Sequence, residues 1–217
     1  RLFRFSSELS ISGVDEDGLL ASVELKAMIG DLSGERIWQE FEKIITSKRV
    51  MQSVPLLIAV GLLDEILPMH GDCGHFLKYV KHEKKLSLKN SVGRLSLLLP
   101  KDGETILNAA KHLRLSNKAR DRLIKFAADY PKHDLRAKTL RRVIYIYGKD
   151  VVIHNLLKSG DLDAKALYYI NDYQIPEMPH SGKALIKEGW STGRDMGAEL
   201  KRRELAWIDA DFKMPTL

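Results

Sequence analysis

The 217-residue sequence predicts an all-α protein, elongated and without significant β-sheet. Apolar residues recur with the 3.6-residue period of a helix along almost the whole chain, and no segment alternates like a half-buried strand for more than a few positions. Ser, Asp, Gly and Pro fall where those periodic runs begin and end.

The elements follow in order. A first helix is expected over 14–28, with Leu19, Leu20, Val23 and Ala27 on one stripe and Asp15, Glu16 and Asp17 in the first turn, where the helix dipole favours acids. Ser33 is the expected N-cap of a second helix, with Glu35 just inside it and Ile37, Trp38, Phe41, Ile44 and Ile45 turned to the core. A third runs over 48–60 and stops at Gly61, and "LDEIL" before Pro68 makes a short fourth. Residues 69–75, "MHGDCGH", read as a loop, followed by helices near 76–86 and 91–99, the latter ended by Pro100. Asp102 caps a helix to about 113, Ser116 one through Tyr130 and Asp134 one through Tyr147; helices over 149–158 and 164–173 follow. The prolines of "IPEMPHSG" break any helix, and two more helices are expected near 182–188 and 193–209.

With 44% apolar residues the chain can bury a core as one elongated domain or two small ones. Its longest apolar runs stop well short of the ~20 residues that cross a bilayer. No membrane association is therefore expected, and the single cysteine, Cys73, fits a reducing, cytoplasmic compartment. The opening "RLFRF", without an initiating Met, is already periodic, so the chain reads as a piece of a longer protein whose missing part lies upstream.

Net charge is +6, unevenly spread. Residues 15–72 carry 5 Lys and Arg against 11 Asp and Glu, whereas residues 73–149 carry 19 against 6. Such a basic middle attracts polyanions, nucleic acid above all, or is a solvated face that keeps the protein soluble. In the helix expected over 134–147, Leu140, Val143, Ile144 and Tyr147 share one side and Lys138, Arg141, Arg142 and Tyr145 the other, which predicts an outward basic stripe with an aromatic. Arg114, Lys118 and Arg122, at i, i+4 and i+8, predict a second stripe. Both suit sugar-phosphate backbone, and both are equally the composition of a solvated helix surface.

Several chemistries are excluded. Ser181-Gly182-Lys183 mimics the end of a phosphate loop, but Glu177 stands where a Walker loop needs glycine and Ala184 where it needs Ser or Thr. The acidic triplets at 15–17, 161–163 and 209–211 lie in helical context, where i and i+2 point about 200° apart and cannot share a metal; capping and solvation are the better readings. His70, Asp72, Cys73 and His75 lack the paired spacing of a zinc site, and no partner set completes a Cys–His nucleophile. Trp38, Trp190 and Trp207 occupy apolar helix positions that predict core packing.

The segments "RLFRFSSEL", "LSGERIWQEFEKII", "LRLSNKARDRL" and "IPEMPHSGKALIKEGWSTGRDMGAELKRRELAWI" occur in an order and spacing that resembles the class II tRNA nucleotidyltransferases, the CCA-adding enzymes and their relatives the bacterial poly(A) polymerases. The resemblance covers essentially the whole chain. It implies a neck over 1–68, a basic helical body over 69–174 and a tail over 175–217, without the catalytic head. That head, with a Gly-Ser pair and an Asp-x-Asp that hold two magnesium ions and use CTP and ATP, is expected outside this chain, as is the Glu-Asp-x-x-Arg element that reads the incoming base. Catalytic residues, metal ligands and cofactors are therefore expected to be absent here, and the isolated chain to be inactive.

By the same resemblance, Ser33, Glu35 and Arg36 brace the neck, and Arg1 and Arg4 are its remaining arginines. The tail, through Ser181, Lys183 and Arg194 at the starts of two short helices, would reach the elbow of tRNA; alternatively its glycines are only helix caps. The expected partners are tRNA, through acceptor stem, T arm and elbow, and the head domain of the same protein. A poly(A)-synthesising enzyme, or a helical module for an acidic protein partner, are the alternatives.

Overall fold

The computed structural model describes residues 16–67, 70–128, 130 and 136–213. Among them there are helices and no strand, as the periodicity predicts. The chain divides into two compact units, Arg1–Tyr130 with His154–Leu162, and Pro131–Ile153 with Asp163–Leu217.

The first unit contains α1 (Glu16–Glu24), a 3₁₀ segment (Lys26–Asp31), α2 (Gly34–Ile45), α3 (Val50–Ala59), α4 (Leu62–Ile66), α5 (Gly74–Lys85), α6 (Ser91–Ser96), α7 (Gly103–His112) and α8 (Asn117–Ala127). Helix α10 (Lys149–Ser159) has its second half, from His154, in this unit. The helix expected over 14–28 is interrupted at Glu24 and tightens into the 3₁₀ segment, none of whose side chains is buried. With no packed face to reward the wider α turn, that stretch lacks what normally stabilises a short helix.

Side-chain caps fix the starts of four helices here. Ser33, Asn90, Asp102 and Ser116 accept from the backbone N–H three residues on, at 3.4, 3.0, 2.7 and 3.3 Å. Helix α2 buries Ile37, Phe41, Ile44 and Ile45, each such side chain contributing about 1.5–3 kcal/mol by leaving water. Trp38, expected in the core, is only half-buried. The glycine that follows the Ser33 cap has a steric role: a Cβ on Gly34 would stand 1.8 Å from the carbonyl oxygen of His112, so only glycine lets the start of α2 close on the end of α7.

Two buried polar constellations run through this core. Glu83 on α5 is fully buried and accepts from Arg94 Nε at 2.6 Å and from the Asn90 N–H at 2.9 Å, while Arg94 Nη1 donates to the Ile45 carbonyl at 2.5 Å. His154, also fully buried, lies 4.5 Å from the Phe126 ring, centre to centre, with Nδ1 3.0 Å from the Tyr79 hydroxyl. Burial holds the imidazole pKa down to about 3, helped by the positive charge of Lys158, so the ring is neutral and shares a hydrogen bond with the Tyr79 hydroxyl.

The second unit contains α9 (Ala137–Tyr147), the first half of α10, α11 (Ala164–Asp172), α12 (Gly182–Lys187) and α13 (Arg194–Asp209). Asp134, the expected cap of α9, lies outside the described residues, as does Met69 of the "MHGDCGH" loop. Asp163 caps α11 by accepting from the Ala166 N–H at 2.7 Å, and the proline linker stays non-helical up to Gly182. No helix among the described residues is long and apolar enough to cross a membrane.

Gly34→Ala is expected to destabilise the first unit by about 1–3 kcal/mol or more, because the added methyl meets backbone that cannot move aside; chemical denaturation measures it. The depressed pKa of His154 sets a pH dependence. The unfolded ring takes a proton below about 6.5 whereas the folded ring does not until about 3, so stability present above 6.5 is lost as pH falls. The expected loss between pH 7 and 5 is about 2 kcal/mol, and it should be absent in His154→Gln, whatever that variant's baseline stability.

Candidate RNA-binding surface

The cations of the two units have different occupations. In the second unit α9 was expected to turn Lys138, Arg141, Arg142 and Tyr145 outward. Instead, most of that stripe holds the C-terminus of α13. Arg141 forms a two-pronged ion pair with Asp211 and donates to the Tyr169 hydroxyl at 3.1 Å. Arg142 donates to Asp209 at 2.6 Å, and the Tyr145 hydroxyl donates to Glu204 at 3.0 Å. The Tyr145 ring meets Trp207 edge-on at 5.6 Å and packs 5.3 Å from Phe212. Only Lys138 of the four is exposed and without such a contact among the described residues.

The sequence signal for this docking was the Asp209-Ala210-Asp211 triplet, read above as capping or solvation. Asp211 and Phe212 both adopt left-handed backbone, with φ of 57° and 62°. The Asp211 N–H donates to Ile208 and the Phe212 N–H to Trp207, closing α13 as a Schellman turn in which Asp211 stands where glycine is usual. The backbone cost is offset by what that position provides: a carboxylate on Arg141 and a ring in the aromatic cluster. The Arg141 guanidinium holds the Asp211 carboxyl below the ordinary range.

Arg114 departs from expectation for a related reason. The i, i+4, i+8 spacing puts it first in a stripe with Lys118 and Arg122, but α8 begins only at Asn117. Arg114 has φ 47° and is the left-handed residue that closes α7, with its own N–H on Lys111 and the Leu115 N–H on Ala110 at 2.9 Å. It is exposed, as is Lys118, while Arg122 is half-buried with its guanidinium 5.2 Å from the Phe126 ring centre. Lys118 and Arg122 do lie one turn apart on α8.

In the tail, Ser181 caps α12 by accepting from the Ala184 N–H at 3.2 Å, so its hydroxyl serves the helix itself. Lys183 and Arg194 are exposed, and among the described residues no carboxylate pairs with either. Gly189, with φ 92°, closes α12 in another Schellman turn, and Trp190 beyond it is exposed, contrary to the core position expected. Trp207 does lie in the core. Arg203 ties the two tail helices together, binding Glu188 through both terminal nitrogens and Glu199 through Nε at 2.8 Å. Arg202 also grips Glu199, and the two arginines hold that carboxyl at about 2. Arg1 and Arg4 lie outside the described residues.

The sequence reading passed over α5. Its exposed side chains are His75, Lys78, Lys81, Lys84 and Lys85, and the acid on this helix, Glu83, is inside with Arg94. The signal was available: four lysines within the basic middle of the chain, at positions that avoid the apolar stripe of Phe76, Tyr79 and Val80.

The described residues do not fit a two-metal centre, since no group of three or more possible metal ligands occurs among them, and Asp163, Asp209 and Asp211 are committed to a cap and to arginines. In the first unit an apolar groove of about 730 Å³ opens beside α1, the 3₁₀ segment and α2, lined by Leu25, Ile29, Leu32, Ile37 and Phe41 among others.

Residues 14–73, the helices that form this groove, match the family model described as the probable RNA and SrmB-binding site of polymerase A. Over 99% of its length the chain is 27% identical to the mitochondrial CCA tRNA nucleotidyltransferase 1 of Mus musculus, and 25% and 27% identical to those of Danio rerio and Homo sapiens. The chain is similar to tRNA nucleotidyltransferases over nearly its whole length. It spans about half the length of these curated relatives, 51%, 52% and 51% in turn. The polymerase-A match points to an RNA-binding part, and the motif "SGERIW" within the matched residues has a structural explanation in the Ser33 cap and the Gly34 contact.

Arg141→Ala is expected to release the α13 terminus, costing about 1.5–3 kcal/mol for the lost charged hydrogen bonds and changing Trp207 fluorescence at a lower denaturant concentration than in the unaltered chain. Asp211→Asn should lose less, since its side chain still accepts.

Proposed function

We propose that this chain is the RNA-holding portion of a tRNA nucleotidyltransferase, divided into neck, body and tail as the sequence suggests, and that it positions the acceptor stem and T arm of tRNA so that CCA is added at the 3′ end by a head domain outside the chain. The observation that carries the reading is where the cations are spent. Arg141, Arg142, Arg202 and Arg203 of the second unit are consumed by internal carboxylates, whereas Lys78, Lys81, Lys85, Arg114 and Lys118 of the first unit are exposed, and none of these five has a carboxylate partner among the described residues. Charge that the fold does not use for itself is charge available to phosphate.

Recognition of this kind is of shape and backbone, because a double-stranded RNA arm hides its base edges in a deep, narrow groove. The lysines act as point charges on phosphate oxygens. Lys183 and Arg194 extend the same role to the tail in this proposal. Magnesium, CTP and ATP belong to the head. The names of the relatives favour CCA addition over poly(A) synthesis, and they also carry the word mitochondrial. We retain the cytoplasm as the proposed compartment, and localising a fluorescent fusion of the full-length protein decides between the two.

A second reading, a helical module for a protein partner, is favoured by the apolar groove and by exposed Leu25 and Met28 beside it, in the region whose family description names SrmB as well as RNA. A gel shift at physiological salt separates the readings. The chain is expected to bind tRNA more tightly than an unrelated RNA duplex of equal charge. Equal affinity for both would remove tRNA from the proposal, and failure to bind either would favour the protein partner.

A further inference from the structure

We propose that the lysine face of α5 is a phosphate-binding track, with Lys78, Lys81 and Lys85 lying along one strand of an RNA helix; this rests on the RNA-holding role above and adds a site to it. At 100° per residue the three side chains fall within a sector of about 60°, diametrically opposite the buried Phe76, Tyr79, Val80 and Glu83. Their Cα atoms span about 10 Å along the axis, enough to meet two or three successive phosphates of one strand.

The solvent side of α5 is wholly basic. Each of its exposed positions is Lys or His, the lone acid is locked inside by Arg94, and none of the three lysines has a carboxylate partner among the described residues. Lys84 is set apart, since its Nζ donates to the Lys48 carbonyl at 3.2 Å. Like charges one turn apart destabilise a helix, and the helix dipole compensates only in the last turn, which does not include Lys78 or Lys81. The fold therefore carries three cations in register, of which only Lys85 is offset by the helix dipole.

The chemistry of the face selects the occupant. Protein interfaces are depleted in lysine and anchored by aromatic and arginine side chains, whereas this face offers neither. A row of compact ammonium groups suits a row of phosphates, where each contact releases a counterion.

The test is the salt dependence of tRNA binding by the full 217-residue chain and by the triple variant Lys78→Gln, Lys81→Gln, Lys85→Gln, whose sites are exposed and whose fold is checked by circular dichroism and thermal melting. The slope of log Kobs against log salt should become shallower by about two to three, with affinity at physiological salt roughly tenfold weaker or more. The corresponding triple Arg variant should keep both. A Gln variant with unchanged slope and affinity overturns the α5 track and leaves the RNA-holding role standing. Unaltered chain that binds poly-L-glutamate and not tRNA overturns both and assigns the face to an acidic protein.

Discussion

The first unit depends on one buried ion pair. Arg94 and Glu83 lie inside an apolar core, and their exclusion from water is affordable only because every strong polar contact is made: two acceptor oxygens on Glu83 are matched by Arg94 and the Asn90 N–H, and Arg94 spends a further donor on the Ile45 carbonyl at the end of α2. Burial pushes the Glu83 carboxyl up while the guanidinium beside it pulls down. Removing one partner of such a pair typically costs about 3–5 kcal/mol, more than removing both. Three helices are thus fixed relative to one another by geometry that a purely apolar contact would not specify: α2 through its terminal carbonyl, α5 through Glu83 and α6 through Arg94. The Ser91 hydroxyl adds to this by donating to Glu42 at 2.6 Å.

The face that α5 shows to solvent follows from that arrangement. Because Glu83 is spent inside, the helix turns no acid outward, and Lys78, Lys81 and Lys85 have no carboxylate partner among the described residues. In the second unit four arginines have the opposite fate. Arg141, Arg142 and Arg203 are drawn into carboxylate pairs that close α13 on α9 and on α12, and Arg202 pairs with Glu199 within α13. Within each unit, then, the placement of a few acids decides whether a basic residue builds the fold or remains exposed to solvent. Net charge alone could not separate these two uses.

The similarity to tRNA nucleotidyltransferases acquires physical content at Ser33 and Gly34. The serine satisfies a free N–H at the start of α2, and the glycine removes the one atom that would hold α2 away from the His112 carbonyl. The motif is a packing device, consistent with a bracing role and distinct from chemistry on a nucleotide. The tail motif divides similarly: Ser181 and Gly189 start and stop α12, and Lys183 and Arg194 are left exposed.

The sequence by itself determined the all-α class and the helix starts at Ser33, Asp102 and Ser116, because periodicity and capping are local interactions that operate over three or four residues. It also located the positive charge. Tertiary structure decided what each charge does. Asp211 lies 70 residues from Arg141 and Glu83 lies 11 from Arg94, separations at which no helical period reports a contact. The same holds for Arg114, which the i, i+4 pattern assigned to a stripe and the backbone placed in a left-handed turn, and for Trp190, whose helical neighbours end one turn too soon to bury it. An ion pair is chosen by proximity in space, and proximity is what folding creates.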